Sequence, residues 1–239
     1  MARRKRLAYV GIPQHVIQRG NNKSVCFSAP QDFAVYAQWL AYYAEHYAVS
    51  IHAWVFMSNH VHLLCTPMKE RLAVSKLMQS IGRRYVAYFN KKYGRTGTLW
   101  EGRFKSTLVD SPSYLLTLYR YIELNPVRAN MVRDPSEYKW SSYHTNAMGN
   151  PSSIIDRHPL YLALGDNADE RQRQYRKMFE QALERKVLNE IRSRTQKEVV
   201  LGSETFRQQI ADLVGYRLKT ENRGRPAKRG VKQNGVSVN

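Results

Sequence analysis

The sequence predicts an α+β fold, a sheet with helices packed on it and a helical extension behind it. Three observations carry this. Short strand-like runs occupy 15–19, 49–57 and 60–66. Apolar residues recur at helical spacing across 30–48, 70–93 and 112–125. Near residue 150 the composition shifts, and after Asp166 the chain becomes helical and charged.

In chain order, "HVIQR" (15–19) alternates apolar and polar residues and suits a strand ending at Gly20. A helix follows over 30–48, with Pro30 near its start. "VSIHAWVFM" (49–57) reads as a strand, and Ser58-Asn59 as a tight turn into a second strand from His60, making 49–66 a hairpin. A long amphipathic helix covers 70–93, with Leu72, Val74, Leu77, Ile81, Val86 and Phe89 as its core candidates. A Gly-containing loop leads to a strand over 102–108. Ser111 is placed as the N-cap and Pro112 as the first residue of the helix over 112–125, which Pro126 ends or kinks.

Residues 1–150 thus form the expected α+β domain and 151–216 a helical extension. In the latter, Tyr175, Met178, Phe179, Ala182, Leu183, Val187 and Ile191 make an apolar stripe across 169–195, and a short helix is expected at 203–215. The tail, 217–239, is polar, basic and Gly-rich, a composition expected to be disordered in isolation.

The charge narrows the partners. Among 239 residues, 38 Lys and Arg face 19 Asp and Glu, a net charge of +19. Such a field attracts polyanions, and phosphate neutralisation releases counterions, so nucleic acid is the expected partner. No run approaches the roughly 18–20 apolar residues of a membrane span. The basic N-terminus has no apolar segment behind it, so neither a secretory leader nor membrane association is expected. Cys26 and Cys65 are too few for a disulfide framework. A reduced, cytoplasmic protein, at the nucleoid if it binds DNA, is the expectation.

The chemistry concentrates in "MSNHVHLLCTP" (57–67). On a strand, His60 and His62 project to one side while Val61 and Leu63 point to the other. Two imidazoles at that spacing can chelate a divalent ion, although His-x-His alone also fits an exposed sheet face. On the helix over 112–125, Tyr121 and Asn125 are one turn apart. An amide oxygen from Asn125 would suit Mg²⁺ or Mn²⁺ at the same site. Tyr121 would then be a nucleophile beside the ion, or simply one of 16 tyrosines. Tyr119 lies about 200° around the helix from Tyr121 and cannot share that site. Tyr114, two turns away, is placed as a packing residue.

The order and spacing of "HVIQRGNN", "HAWVFMSNHVHLL", "GTLWEGRFKS" and "YRYIELNPVRAN" resemble the HUH single-tyrosine transposases, specifically the REP-associated tyrosine transposases, over roughly 7–145. The resemblance implies a ferredoxin-like antiparallel sheet with the histidines on a central strand. It implies that His60, His62 and Asn125 bind a divalent metal ion and that Tyr121 is the nucleophile. It further implies cleavage of single-stranded DNA near palindromic hairpins through a 5′-phosphotyrosine link. A monomer is the expected state, with a dimer as the alternative. The rival reading is a non-catalytic hairpin-binding regulator, which would need the charge but not the convergence of these four residues.

Further DNA contacts are expected from Arg19, Asn21 and Asn22 around Gly20, from Arg83 and Arg84 on the long helix, and from Arg103 and Lys105. Trp100 is a candidate to stack on an unpaired base. In "RGRPAKRG" (223–230), Arg223, Arg225, Lys228 and Arg229 resemble an AT-hook, whose arginine enters a narrow minor groove.

Overall fold

The computed structural model describes residues 6–214. The AT-hook-like segment therefore lies outside the described residues. Four strands and two helices alternate first: β1 (Gln14–Arg19), α1 (Pro30–His46), β2 (Val49–Met57), β3 (His60–Pro67), α2 (Ala73–Tyr93) and β4 (Lys105–Leu108). The sheet order is β2-β3-β1-β4 and every pairing is antiparallel. This is the ferredoxin-like βαββαβ arrangement, with the histidine strand β3 in the interior.

Period-2 alternation sends the strand residues to two different cores. Val16, Val61, Leu63 and Cys65 join Tyr36, Leu40, Leu77, Ile81 and Tyr85 of α1 and α2 in one buried cluster. The opposite face, with Ala53, Val55, Met57 and Leu64, is covered by later elements. These are α3 (Ser111–Glu123), α4 (Asn125–Arg128), α5 (Tyr143–Asn146), α6 (Pro159–Leu162), α7 (Ala168–Lys177) and α8 (Arg185–Lys197). Tyr121, Tyr175 and Ile191 share that second cluster, so all nine residues of β2 are buried. α9 (Glu204–Val214) packs Ile210 with Leu108 and Val200. Both sheet edges are met by later chain: Val55 pairs with Ser141 and Ile51 with Ile155 beside β2, and Val109 with Leu201 beyond β4. Among the described residues, no helix is long and apolar enough to cross a membrane.

Several boundaries depart from the sequence-based expectation. β4 begins at Lys105, because Gly102 (φ +100°) turns the chain just before it. Leu72 precedes α2 and is 44% exposed rather than in the core. Asp110, not Ser111, occupies the N-cap of α3, and its carboxylate accepts from Ser113 Oγ at 3.1 Å and from Ser203 N at 2.9 Å. The expected helix over 112–125 is two helices, separated at Leu124 (φ −84°, ψ 2°), just ahead of Asn125-Pro126. The stripe over 169–195 is likewise split between α7 and α8, with Ala182 exposed between them.

Candidate active site

The register across β1, β2, β3 and β4 builds the floor of the site. Arg19 lies opposite His60, and Ile17 opposite His62. On the other side of β3, Met57 faces His60 and Val55 faces His62. Lys105 of β4 pairs with Ile17. Directly opposed residues share a face, so two histidines, an arginine and a lysine project together from three adjacent strands. The end of β1 is held tightly there: Gly20 N donates to Asn59 O at 2.8 Å and Glu101 N to Arg19 O at 2.9 Å. A Cβ on Gly20 would come within 2.1 Å of Ser24 O, so only glycine fits.

α3 lays Tyr121 over this floor. Its ring meets His62 edge-on at 5.9 Å between centroids and His15 at 5.8 Å, and the residue is 5% exposed. Asn125 Nδ2 donates to Tyr121 O at 3.0 Å, which keeps the two side chains one turn apart despite the break at Leu124. His60, His62, Tyr121 and Asn125 line one cavity of about 420 Å³. Arg19, Arg103, Lys105, Glu101 and Arg192 contribute its charged rim.

The histidines are not on an open sheet face. His62 is 3% exposed, covered from the α3 side. Burial, then the charges of His60, His15, Arg128 and Arg19, holds its pKa well below the usual histidine value. Burial and then Arg19 push His60 down to about 4. Both rings are thus neutral at pH 7, the form that ligates a metal. Their Nδ1 atoms are already engaged, His60 with Asn59 Oδ1 at 2.6 Å and His62 with His15 Nε2 at 2.9 Å. Each keeps Nε2 for a ligand, and Asn125, whose Nδ2 is used, keeps Oδ1. Among the described residues no group of three His, Cys, Asp or Glu is placed to hold a metal. Two imidazole nitrogens and an amide oxygen still fit a divalent ion whose other positions are filled by phosphate and water.

The tyrosine assignments separate cleanly in space. Tyr119 is 1% exposed and packs against Tyr161 and Tyr175, away from the cavity. Tyr114 donates to Glu190 at 2.8 Å. Among the expected DNA contacts, Arg19, Arg103 and Lys105 reach the cavity, and Asn21 and Asn22 sit in the turn beyond β1. Arg83 lines a second, more apolar groove with Gln18, Met78 and Phe104. Arg84 instead points to α1, its guanidinium 5.8 Å from the Tyr43 ring. Trp100 is 5% exposed and stacked on Tyr85 at 5.9 Å, so its ring faces are committed to the core and not open to a base.

Other residues at the site had little or no signal in the sequence. His15 was visible only as a residue in step with Ile17 and Arg19 on β1. Arg128, seven residues after Tyr121, places its guanidinium 4.5 Å from the tyrosine ring centre and donates to Tyr121 O. Arg192, Thr195 and Gln196 come from α8, and Gln196 Oε1 accepts from Lys105 Nζ at 2.6 Å. Glu123, fully buried, accepts from Ser142 Oγ, Asn146 Nδ2 and Tyr175 Oη at 2.5, 2.8 and 2.7 Å, tying the end of α3 to α5 and α7.

Part of the chain is similar to known proteins. Residues 9–125 match the family model described as "Transposase IS200 like". The match covers just under half of the chain. The matched span runs from just before β1 to Asn125, and so contains both histidines and Tyr121. A solved structure described as a REP-associated tyrosine transposase bound to a REP hairpin has the same fold, with a TM-score of 0.50. It is 19% identical, and the alignment covers 66% of this chain and 93% of that one. No curated protein matches the chain.

Proposed function

We propose that the protein is a metal-dependent endonuclease and strand transferase acting on single-stranded DNA that carries hairpins, with Tyr121 as its nucleophile. The observation that carries this reading is the convergence of His60, His62, Tyr121 and Asn125, from β3, α3 and α4, on one cavity rimmed by basic side chains. The hairpin as substrate is supported by the solved structure of the same fold, which is described as bound to one.

His60, His62 and Asn125 would hold a divalent ion, Mg²⁺ or Mn²⁺, which when bound polarises the scissile phosphate. Arg19, Arg103 and Lys105 bind and orient the strand through its phosphates. The Tyr121 oxygen attacks phosphorus, the bond to the 3′-oxygen breaks, the phenol proton is released and the departing oxygen gains one. The products are a 5′-phosphotyrosine ester and a free 3′-hydroxyl. Because the ester keeps the phosphodiester bond energy, a 3′-hydroxyl can reverse the step and rejoin a strand. Arg128, its positive charge over the Tyr121 ring, favours the negative charge that develops on the phenol oxygen. Burial lowers its pKa to about 10, so it stays charged at neutral pH.

The test is a denaturing gel of labelled hairpin DNA incubated with the protein and Mn²⁺. A covalent protein–DNA adduct that disappears in Tyr121→Phe is expected. Tight hairpin binding with no adduct under any divalent ion would instead identify a non-catalytic DNA-binding protein.

A further inference from the structure

A chain of hydrogen bonds runs from the cavity to a helix outside the family-matched residues. His62 Nδ1 lies 2.9 Å from His15 Nε2, and His15 Nδ1 lies 3.2 Å from Thr195 Oγ1. Thr195 Oγ1 in turn donates to Ile191 O at 2.8 Å, one turn back along α8. The two imidazole planes differ by only 12° and their ring centroids are 5.2 Å apart, so the rings lie nearly end to end across the 2.9 Å contact. His15 and Thr195 are 0% and 2% exposed, so no water competes for these bonds.

The carbonyl end sets the direction of the chain. A carbonyl can only accept, so the single hydroxyl proton of Thr195 goes to Ile191 O, and Oγ1 must accept from His15 Nδ1–H. A neutral imidazole has one N–H, which leaves His15 Nε2 as an acceptor for His62 Nδ1–H. The lone pair of His62 is then on Nε2, the atom left for the cavity. In the opposite order Ile191 O loses the hydroxyl, and His62 presents a proton where a ligand must bind.

We propose that Thr195 is a positioning residue of the active site, fixing through His15 the tautomer in which His62 can bind a metal ion. The proposal rests on the reading of His62 as a ligand. It makes α8, beyond residue 125, a working part of the site rather than an appendage. The conclusion concerns where one proton sits, and it holds for the protein before any ion arrives.

The experiment is long-range ¹H–¹⁵N correlation spectroscopy of the histidine rings in the full-length, metal-free protein, paired with Mn²⁺ titration. In the wild type, His62 is expected as the Nδ1–H tautomer. Thr195→Val, which replaces the hydroxyl by a methyl of the same shape, should shift His62 or His15 to mixed tautomers. It should also weaken Mn²⁺ binding by about 10–100-fold, the usual effect of losing an outer partner of a ligating histidine. Thr195→Ser should restore both. A wild-type His62 carrying its proton on Nε2 overturns the proposal without any variant. A folded Thr195→Val protein with wild-type tautomers and Mn²⁺ affinity overturns it too. Failure of Mn²⁺ to broaden the His62 ring signals in the wild type sinks the ligand reading separately, since the tautomer is read without metal.

Discussion

The Arg128 guanidinium sits 4.5 Å from the centre of the Tyr121 ring while donating to the backbone carbonyl of the same residue. One side chain therefore fixes both the ring and the end of the helix that carries it. Arg128→Lys keeps the charge but loses the planar group that can stack and donate at once. Adduct formation should slow by about 10–100-fold, with hairpin affinity changed only a few-fold, because small misplacement of a reacting atom costs on this order. Single-turnover kinetics on labelled hairpin DNA measure it; a wild-type rate would remove Arg128 from the site.

Tyr121→Phe should abolish the covalent adduct and leave hairpin binding within a few-fold. Tyr119→Phe should keep full activity, because Tyr119 is buried against Tyr161 and Tyr175, away from the cavity. An adduct that survives Tyr121→Phe and vanishes in Tyr119→Phe would reverse the assignment.

His60→Ala and His62→Ala should both eliminate metal-dependent cleavage, as should excess EDTA on the wild type. Asn125→Ala should weaken metal dependence less severely. The two histidines should differ in stability. His62 is 3% exposed and its loss strands the buried Nε2 of His15, a cost of about 1–3 kcal/mol. His60 bonds only its partly exposed neighbour Asn59, so its removal should cost less. Urea unfolding of the two variants compares them directly.

Burial raises the Glu123 carboxyl from 4.5 to about 7, against the opposing pull of its three donors. The folded state then holds the proton more tightly than the unfolded chain. Its contribution is complete below about pH 4.5 and is lost as pH rises through about 7, a change of about 3 kcal/mol at roughly 1.4 kcal/mol per pKa unit. Relative to Glu123→Gln, the wild type should therefore be weaker at pH 8 than at pH 5. A stability difference that is the same at both pH values would show that Glu123 ionises as it does in water.

The tail from Arg217 carries seven Lys and Arg (Arg217, Lys219, Arg223, Arg225, Lys228, Arg229 and Lys232) against Glu221. If it meets phosphates on the stem, truncation before Glu221 should flatten the salt dependence of hairpin binding by about 2–4 in log–log slope, at about 0.9 per contact. Arg225→Ala should cost more than Lys232→Ala. An unchanged slope would show that the tail does not touch the stem.

The sheet and its helices were legible because β1, β2, β3, α1 and α2 each have the period their environment demands. The breaks were less so. Nothing in composition separates α7 from α8, whereas the break after α3, at Leu124, falls beside Pro126, which was expected to end or kink the helix. At the site, His60, His62, Tyr121 and Asn125 could be named because each pair lies close in sequence, two or four residues apart. His15 and Thr195 could not: they are 180 residues apart, and only the packing of α8 against β4 brings them together. Trp100 misled for the opposite reason, since an aromatic among basic residues reads the same whether its ring faces DNA or the core.

The pairing of Ser141, Ile155 and Leu201 with the two sheet edges also has a meaning in time. β2 leaves the ribosome roughly a hundred residues before Ile155, which at about 5–20 residues per second is an interval of about 5–20 s. For most of it, until Ser141 emerges, the outer edge of a wholly buried strand has unpaired backbone and no cover. The nascent chain is then open to pairing with a neighbour, and chaperone demand during synthesis should fall once residue 155 has emerged. Once all three bridges have closed, each edge of the sheet is partly occupied by the chain's own backbone, which hinders the addition of a strand from another molecule.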